Sequence, residues 1–248
     1  NIIRTWIVEL VNHKIKPASI KRKISALKSF YKYNQKIGKI KLNPADKINS
    51  PKIPERLPKF VEQHKINDLF EHADKYFAAT FEGMQEKLIV DMLYSTGMRR
   101  QELITLKWSD INVGAHQVKV TGKGNKQRLI PIGADLIHSL QIFQKAQIEN
   151  YKNIPIATYV FLTDNGNQLY PNYVYRIVKK HIGNCSTVEK KSPHVLRHSF
   201  ATHMSNNGAK LNDIKELLGH ASLASTQVYT HNTIEQLKEI YKIAHPKA

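Results

Sequence analysis

The stretch that decides the fold is Gln117-Val118-Lys119-Val120-Thr121, followed by Gly122-Lys123-Gly124-Asn125-Lys126 and then by Leu129-Ile130-Pro131-Ile132. Val118 and Val120 alternate with polar neighbours, which is the two-residue period of a half-buried strand. The glycine-rich basic segment supplies a turn and the second apolar run a returning strand, so the stretch reads as an antiparallel hairpin with a basic tip. Elsewhere the apolar period is helical. Upstream, Leu88, Ile89, Met92 and Leu93 line a buried helix that breaks at Ser95-Thr96-Gly97, and a shorter helix is expected from Arg100 to Leu106. Downstream, helices are expected at about 134–150, 171–182, 194–206 and 212–218, the last capped by Asn212 and ended by Gly219. A short helix near 223–229 and a final one near 232–243 complete the pattern. The fold class is therefore mainly α with a small antiparallel β-sheet.

Toward the N-terminus, Ile3, Trp6, Ile7, Leu10 and Val11 mark one amphipathic helix, and Ile20, Ile24, Leu27, Phe30 and Tyr31 a second. Ser19 is a candidate N-cap for the second, and Gly38 a candidate end. Two or three helices in about 45 residues make a poor independent core. Because the sequence starts abruptly inside an amphipathic pattern, further N-terminal helices are expected in the natural protein. Pro44, Pro51, Pro54 and Pro58 then crowd a short interval. Proline removes backbone donors and blocks helix continuation, so residues 51–58 read as a linker between a helical region, 1–50, and a larger domain, 59–248.

The chain has 248 residues, 41% of them hydrophobic, enough for folded cores and more than a disordered basic protein carries. Its 38 Lys and Arg against 20 Asp and Glu leave a net charge of +18. Residues 1–58 hold 14 of those cations and only three acids. Lys21, Arg22, Lys23, Lys28, Lys32, Lys36, Lys39 and Lys41 follow one another with almost no acid between them. A solvated helix face would also carry lysines, but such a density points to a polyanionic partner. No apolar run approaches a spanning helix and no signal peptide is visible, so membrane insertion is not expected. The single Cys185 allows no internal disulfide and fits a reducing cytosol.

Several dispersed residues are each weak signals. His194 and Arg197 lie three apart, on one face of a helix. His220 follows a helix-ending Gly219, Tyr229 lies nine residues on, Arg99 sits at a helix break with Glu102 one turn later, and Lys123 occupies the hairpin tip. Singly these are a capping histidine, a core tyrosine, a surface ion pair and a turn lysine. Together they supply what phosphodiester transesterification requires. Guanidinium and imidazole donors stabilise a pentacoordinate phosphorus, a phenol attacks, and an ammonium protonates the leaving oxygen.

The segments Thr96-Gly97-Met98-Arg99-Arg100-Gln101-Glu102-Leu103, Gly122-Lys123-Gly124-Asn125-Lys126, His194-Val195-Leu196-Arg197-His198-Ser199-Phe200-Ala201-Thr202-His203, Leu218-Gly219-His220 and Tyr229-Thr230-His231 resemble the tyrosine site-specific recombinases in order and spacing. The similarity is to the Xer branch and to integrases of mobile elements, and it covers essentially the whole chain. The resemblance implies a two-domain C-shaped DNA clamp with an incomplete N-terminal core-binding domain (1–50) and a catalytic domain (59–248). It implies Arg99 and Arg197 on the scissile phosphate, Lys123 as general acid, His194 and His220 assisting, Tyr229 forming a 3′-phosphotyrosyl bond, and Glu102 supporting Arg99. Lys21, Arg22, Lys23, Lys28 and Lys126 are the candidate DNA contacts. It further implies metal- and ATP-independent chemistry without a cofactor, and double-stranded DNA as partner. The expected assembly is a homo-tetramer, or a tetramer shared with a related recombinase, on two duplexes in the nucleoid-associated cytoplasm. Chromosome-dimer resolution and mobile-element integration or excision both fit. The final helix, with Ile234, Leu237, Ile240, Tyr241 and Ile243, could dock in cis or in a neighbouring subunit.

Other readings fit less well. His194, His198 and His203 suggest zinc, but Val195 stands where a metalloprotease needs glutamate and no cysteine pair exists. Gly122-Lys123 resembles half a P-loop, yet Gly124 occupies the Ser/Thr position. A non-catalytic DNA-binding regulator could use Asp213 to Tyr229 as a helix–turn–helix, but has no use for Arg99, Lys123 and Tyr229. A topoisomerase or nuclease using the same tyrosine would share the cleavage step, but the two-domain Xer-like layout argues against it.

Overall fold

The computed structural model describes residues 2–52, 59–151, 158–189, 191–219 and 231–248, apart from the side chains of Lys123 and of residues 231–233. Most of the expected linker, the short helix expected near 223–229, His220 and Tyr229 lie outside the described residues. The chain divides into two compact units, Asn1–Leu57 and Pro58–Ala248.

The first unit holds α1 (Ile2–Asn12) and α2 (Pro17–Lys36). Its core is small: Ile20, Ile24, Ala45 and Ile48, with Ile3, Ile7, Leu10, Ile15 and Tyr31 packed against them. Ser19 is not the N-cap expected of it. Lys16 holds that position and Pro17 starts the helix, where proline's missing N–H costs nothing. Gly38 does end it, with Lys39 N bonded to Asn34 O at 3.0 Å and Gly38 N to Gln35 O at 3.1 Å. Lys21, Arg22 and Lys23 are exposed, whereas Lys28 is half-buried and donates to Asp46 O at 3.1 Å.

The second unit is built around α5 (Phe81–Thr96), preceded by α3 (Gln63–Glu71) and α4 (Ala73–Tyr76). Every residue of α5 from Leu88 to Thr96 is buried, because helices pack on all its sides. After α6 (Arg100–Ile104) comes a three-stranded antiparallel sheet in the order β1 (Ile111–Asn112), β2 (Gln117–Thr121), β3 (Gln127–Pro131). The two longer strands are the expected hairpin, with Val118 opposite Ile130 and Val120 opposite Arg128. The short β1 has no alternation long enough to announce it. Helices α7 (Ala134–Asn150), α8 (Pro171–Cys185), α9 (Pro193–Asn206), α10 (Leu211–Leu218) and α11 (His231–Ala244) follow. Asn212 lies inside α10 rather than capping it, and Lys210 holds the N-cap. Helix α8 runs three residues past its expected end, since Ile182 and Cys185 still face the core.

Helix α11 packs on its own chain. Leu237, Tyr241 and Ala244 join Phe200 and Met204 of α9 and Ile214, Leu217 and Leu218 of α10 in a second core, while Ile243 is exposed. Tyr241 donates to Ser95 O at 3.0 Å and stacks on His245 at 4.6 Å between centroids. His245 accepts from Lys247 N through Nδ1 at 3.0 Å, and burial pushes its pKa down to about 3. A depressed histidine pKa favours the neutral fold: the contribution is complete above the ordinary value of 6.5 and is lost as pH falls toward 3. At pH 5 the loss from His245 alone is on the order of 2 kcal/mol. The melting temperature of the parent should therefore fall from pH 7 to pH 5 more steeply than that of His245→Phe, followed by circular dichroism; parallel slopes would reject this titration.

Candidate active site

The fold delivers charged side chains to one place. Helix α5 stops at Gly97, whose φ of 58° is left-handed. A Cβ there would lie 2.7 Å from both Leu218 Cδ2 and Phe200 Cδ1, so the position calls for glycine on two counts. The chain then turns sharply and Arg99 becomes the N-cap of α6. Glu102, one turn later, reaches back: its Oε2 accepts from Arg99 N at 2.7 Å and its Oε1 from Arg99 Nη1 at 2.8 Å. Sequence and structure agree on this pair.

The structure adds a residue that the sequence reading missed. Arg128 of β3 donates from Nη1 to Glu102 Oε1 at 2.9 Å, from Nη2 to Glu102 Oε2 at 2.8 Å, and from Nε to Leu217 O at 2.8 Å. It lies on the same strand face as Ile130, and that parity was the available signal: an arginine in the inward row of a hairpin must have a buried partner. Arg197 sits on α9, with Nη1 to Gly97 O at 2.5 Å and Nη2 to Leu218 O at 2.6 Å. Arg99 Nη2 reaches Gly219 O at 3.2 Å. Three arginines from three elements thus bind three successive carbonyls, Leu217, Leu218 and Gly219, where α10 ends and its dipole is negative.

Among the described residues, Glu102 is the one carboxylate hydrogen-bonded to this cluster. Burial pushes the Arg197 guanidinium down to about 10, and the Arg99 and Arg128 charges push the same way, opposed by Glu102. Burial alone would raise Glu102, but hydrogen bonds and charge from Arg128, then from Arg99, hold it below its ordinary 4.5. Arg128 and Arg197 are 5% and 9% exposed, while the Arg99 side chain is 37% exposed. Positive charge exceeds negative in a partly desolvated place with one arginine opening to solvent. Such an arrangement favours an oxyanion with several acceptor oxygens.

His194 is exposed at the start of α9, one turn before Arg197. Lys126 is exposed beside the hairpin tip, where Lys123–Asn125 form a 3-10 turn and Gly122 N bonds Lys126 O at 2.8 Å. A Cβ on Gly122 would come within 3.3 Å of Glu102 Oε1, so the base of the hairpin abuts the cluster. The structure therefore brings Arg99, Glu102 and Arg197 together.

This surplus of guanidinium charge sits on a mainly helical unit with a small sheet. The phage integrase family matches residues 59–236. The tyrosine recombinase XerC of Chlorobaculum parvum is 37% identical over 264 residues, covering 99% of this chain and 78% of that protein. XerC of Pelotomaculum thermopropionicum is 36% identical over 251 residues, covering 100% and 81%. Among solved structures, the XerH site-specific recombinase bound to a palindromic difH substrate after cleavage is 25% identical with a TM-score of 0.75, over 98% of this chain and 71% of that one. The integrase of mycobacterium phage Brujita, 22% identical with a TM-score of 0.62 over 99% and 78%, shares the fold. The chain belongs to the phage integrase family of tyrosine recombinases.

Removing one member of a buried charged pair costs about 3–5 kcal/mol. Glu102→Gln should therefore destabilise the second unit by about 3 kcal/mol in urea denaturation at pH 7. Because the folded pKa of Glu102 is lowered, the stability that it contributes is complete above 4.5 and lost as pH falls through the lowered value. The gap between parent and variant should narrow below pH 4.5; a constant gap would contradict this assignment.

Proposed function

We propose that this chain cuts and rejoins DNA strands at specific sites through a 3′-phosphotyrosyl intermediate on Tyr229. The observation that carries the reading is the arginine cluster around Glu102, whose surplus positive charge suits a phosphodiester in transit between two oxygens. Arg99 and Arg197 hold the non-bridging oxygens, their guanidinium planes already fixed by carbonyls and by Glu102, and each retains further N–H donors. The Tyr229 hydroxyl gives up its proton to an imidazole, His194 or His220, as its oxygen attacks phosphorus and the bond to the 5′ oxygen breaks. That oxygen takes a proton from Lys123, and the strand leaves with a free 5′ hydroxyl. His194 and His220 assist charge and proton movement at the same phosphate. A 5′ hydroxyl from another strand then attacks the phosphotyrosine and the tyrosine leaves, so one ester replaces another of similar energy. Neither ATP nor a metal enters this scheme, and the charge stabilisation comes from the arginines.

The likeness to XerH on its difH substrate and to the XerC relatives supports site-specific recombination of double-stranded DNA. The first unit acts as a helical core-binding region, with Lys21, Arg22, Lys23 and Lys28 along the backbone, and Lys126 adds a contact from the hairpin. Residues 59–248 form the catalytic domain. Four subunits, identical or shared with a related recombinase, assemble on two duplexes in the nucleoid-associated cytoplasm. No helix of the described residues is long and apolar enough to cross a membrane.

Tyr229→Phe should bind target DNA as the parent does and form no covalent adduct with a nicked suicide substrate on a denaturing gel. An adduct in the variant would remove Tyr229 from the mechanism. Binding should also weaken by on the order of 10³-fold between roughly 50 and 200 mM salt, because each neutralised phosphate releases counterions. A flat salt titration by fluorescence anisotropy would argue against a phosphate-lined groove.

A further inference from the structure

The inward row of the β2–β3 hairpin is apolar except at one position. Val118, Val120 and Ile130 are buried there as alternation requires, and Arg128 stands directly opposite Val120, 5% exposed. All three of its nitrogens are engaged inside the protein, two on Glu102 and one on Leu217 O. The two Glu102 oxygens receive four bonds: Oε1 takes Nη1 from both Arg99 and Arg128, and Oε2 takes Arg99 N and Arg128 Nη2. A carboxylate gripped by Arg99 alone could turn about its side-chain torsions. Gripped on its other side by a planar fork, it has one orientation. The space for that fork comes from Gly219, where a Cβ would fall 2.9 Å from Arg128 Cδ.

We infer that Arg128 is a positioning residue for strand cleavage, fixing the carboxylate that orients Arg99. The inference rests on the reading above, in which Arg99 grips the scissile phosphate. Arg128 itself touches no reacting atom. Its effect belongs in the rate of the chemical step, with little change in DNA affinity, and it passes through Arg99.

The test is single-turnover adduct formation on a nicked suicide substrate at saturating DNA, with half-saturation and melting temperature measured for each protein. Arg128→Met should slow adduct formation by about 30-fold while half-saturation moves by less than about threefold. Arg128→Lys should recover only part of the rate, since one ammonium cannot bridge both carboxylate oxygens and the carbonyl. On an Arg99→Lys background, Arg128→Met should cost less than about threefold more, because the clamp then has little left to orient. The pair Arg128→Met with Glu102→Gln removes the stranded buried charge; it should regain melting temperature and stay slow, which separates positioning from loss of fold. Cleavage by Arg128→Met at the parent rate, a full extra loss on the Arg99→Lys background, or parental cleavage by the stabilised pair would each overturn the inference. A parent chain that forms no adduct at all would instead bring down the strand-cleavage reading, and this inference with it.

Discussion

One carboxylate, Glu102, holds the electrostatics of the second unit together. It is buried, which by itself would favour its neutral form, and it stays ionised because Arg128 and Arg99 close on it from two sides. Two chain segments, the start of α6 and the middle of β3, meet at those oxygens. If the carboxylate were lost, three guanidinium groups would face one another with only backbone carbonyls between them; Arg197, lowered first by burial, is already pushed further down by the Arg99 and Arg128 charges. The surplus positive charge of the cluster is tolerable because this one carboxylate offsets part of it.

The helical core gives that arrangement a fixed address. Helix α5 is buried on every side over its second half, so its end is among the least movable points of the unit. Gly97 turns the chain there, its carbonyl takes Arg197 Nη1, and Arg99 follows two residues on. A membership in the tyrosine recombinases is thus matched by a physical rationale: Arg99 follows a rigid helix end and Arg197 stands within α9, neither on a loose surface loop.

Much of this was legible beforehand. The helix break at Gly97, the hairpin after Gln117 and the Arg99–Glu102 pair follow from period, turn chemistry and one-turn spacing, all local properties. What could not be read was non-local. Arg128 looks like an ordinary strand arginine until its parity with Ile130 is set beside a carboxylate 26 residues away. The three carbonyl contacts on α10 leave no trace in side-chain pattern at all. The misplaced caps have a similar origin: Ser19 and Asn212 are good capping residues, but proline at position 17 and the apolar Leu211 began their helices earlier. The docking of α11 on α9 and α10 is likewise a tertiary choice that an amphipathic stripe leaves open.

The row of carbonyls at the end of α10 carries a further consequence for how the chain can vary in length. Leu217, Leu218 and Gly219 each answer to an arginine fixed on a different element. Adding or deleting one residue between Lys210 and Gly219 would turn the row by about 100° about the helix axis and shift it by about 1.5 Å. All three anchor points would fall out of phase together, and a compensating change at any single arginine would repair only one. Sequence drift within α10 can be broad on its exposed side, but its residue count is locked.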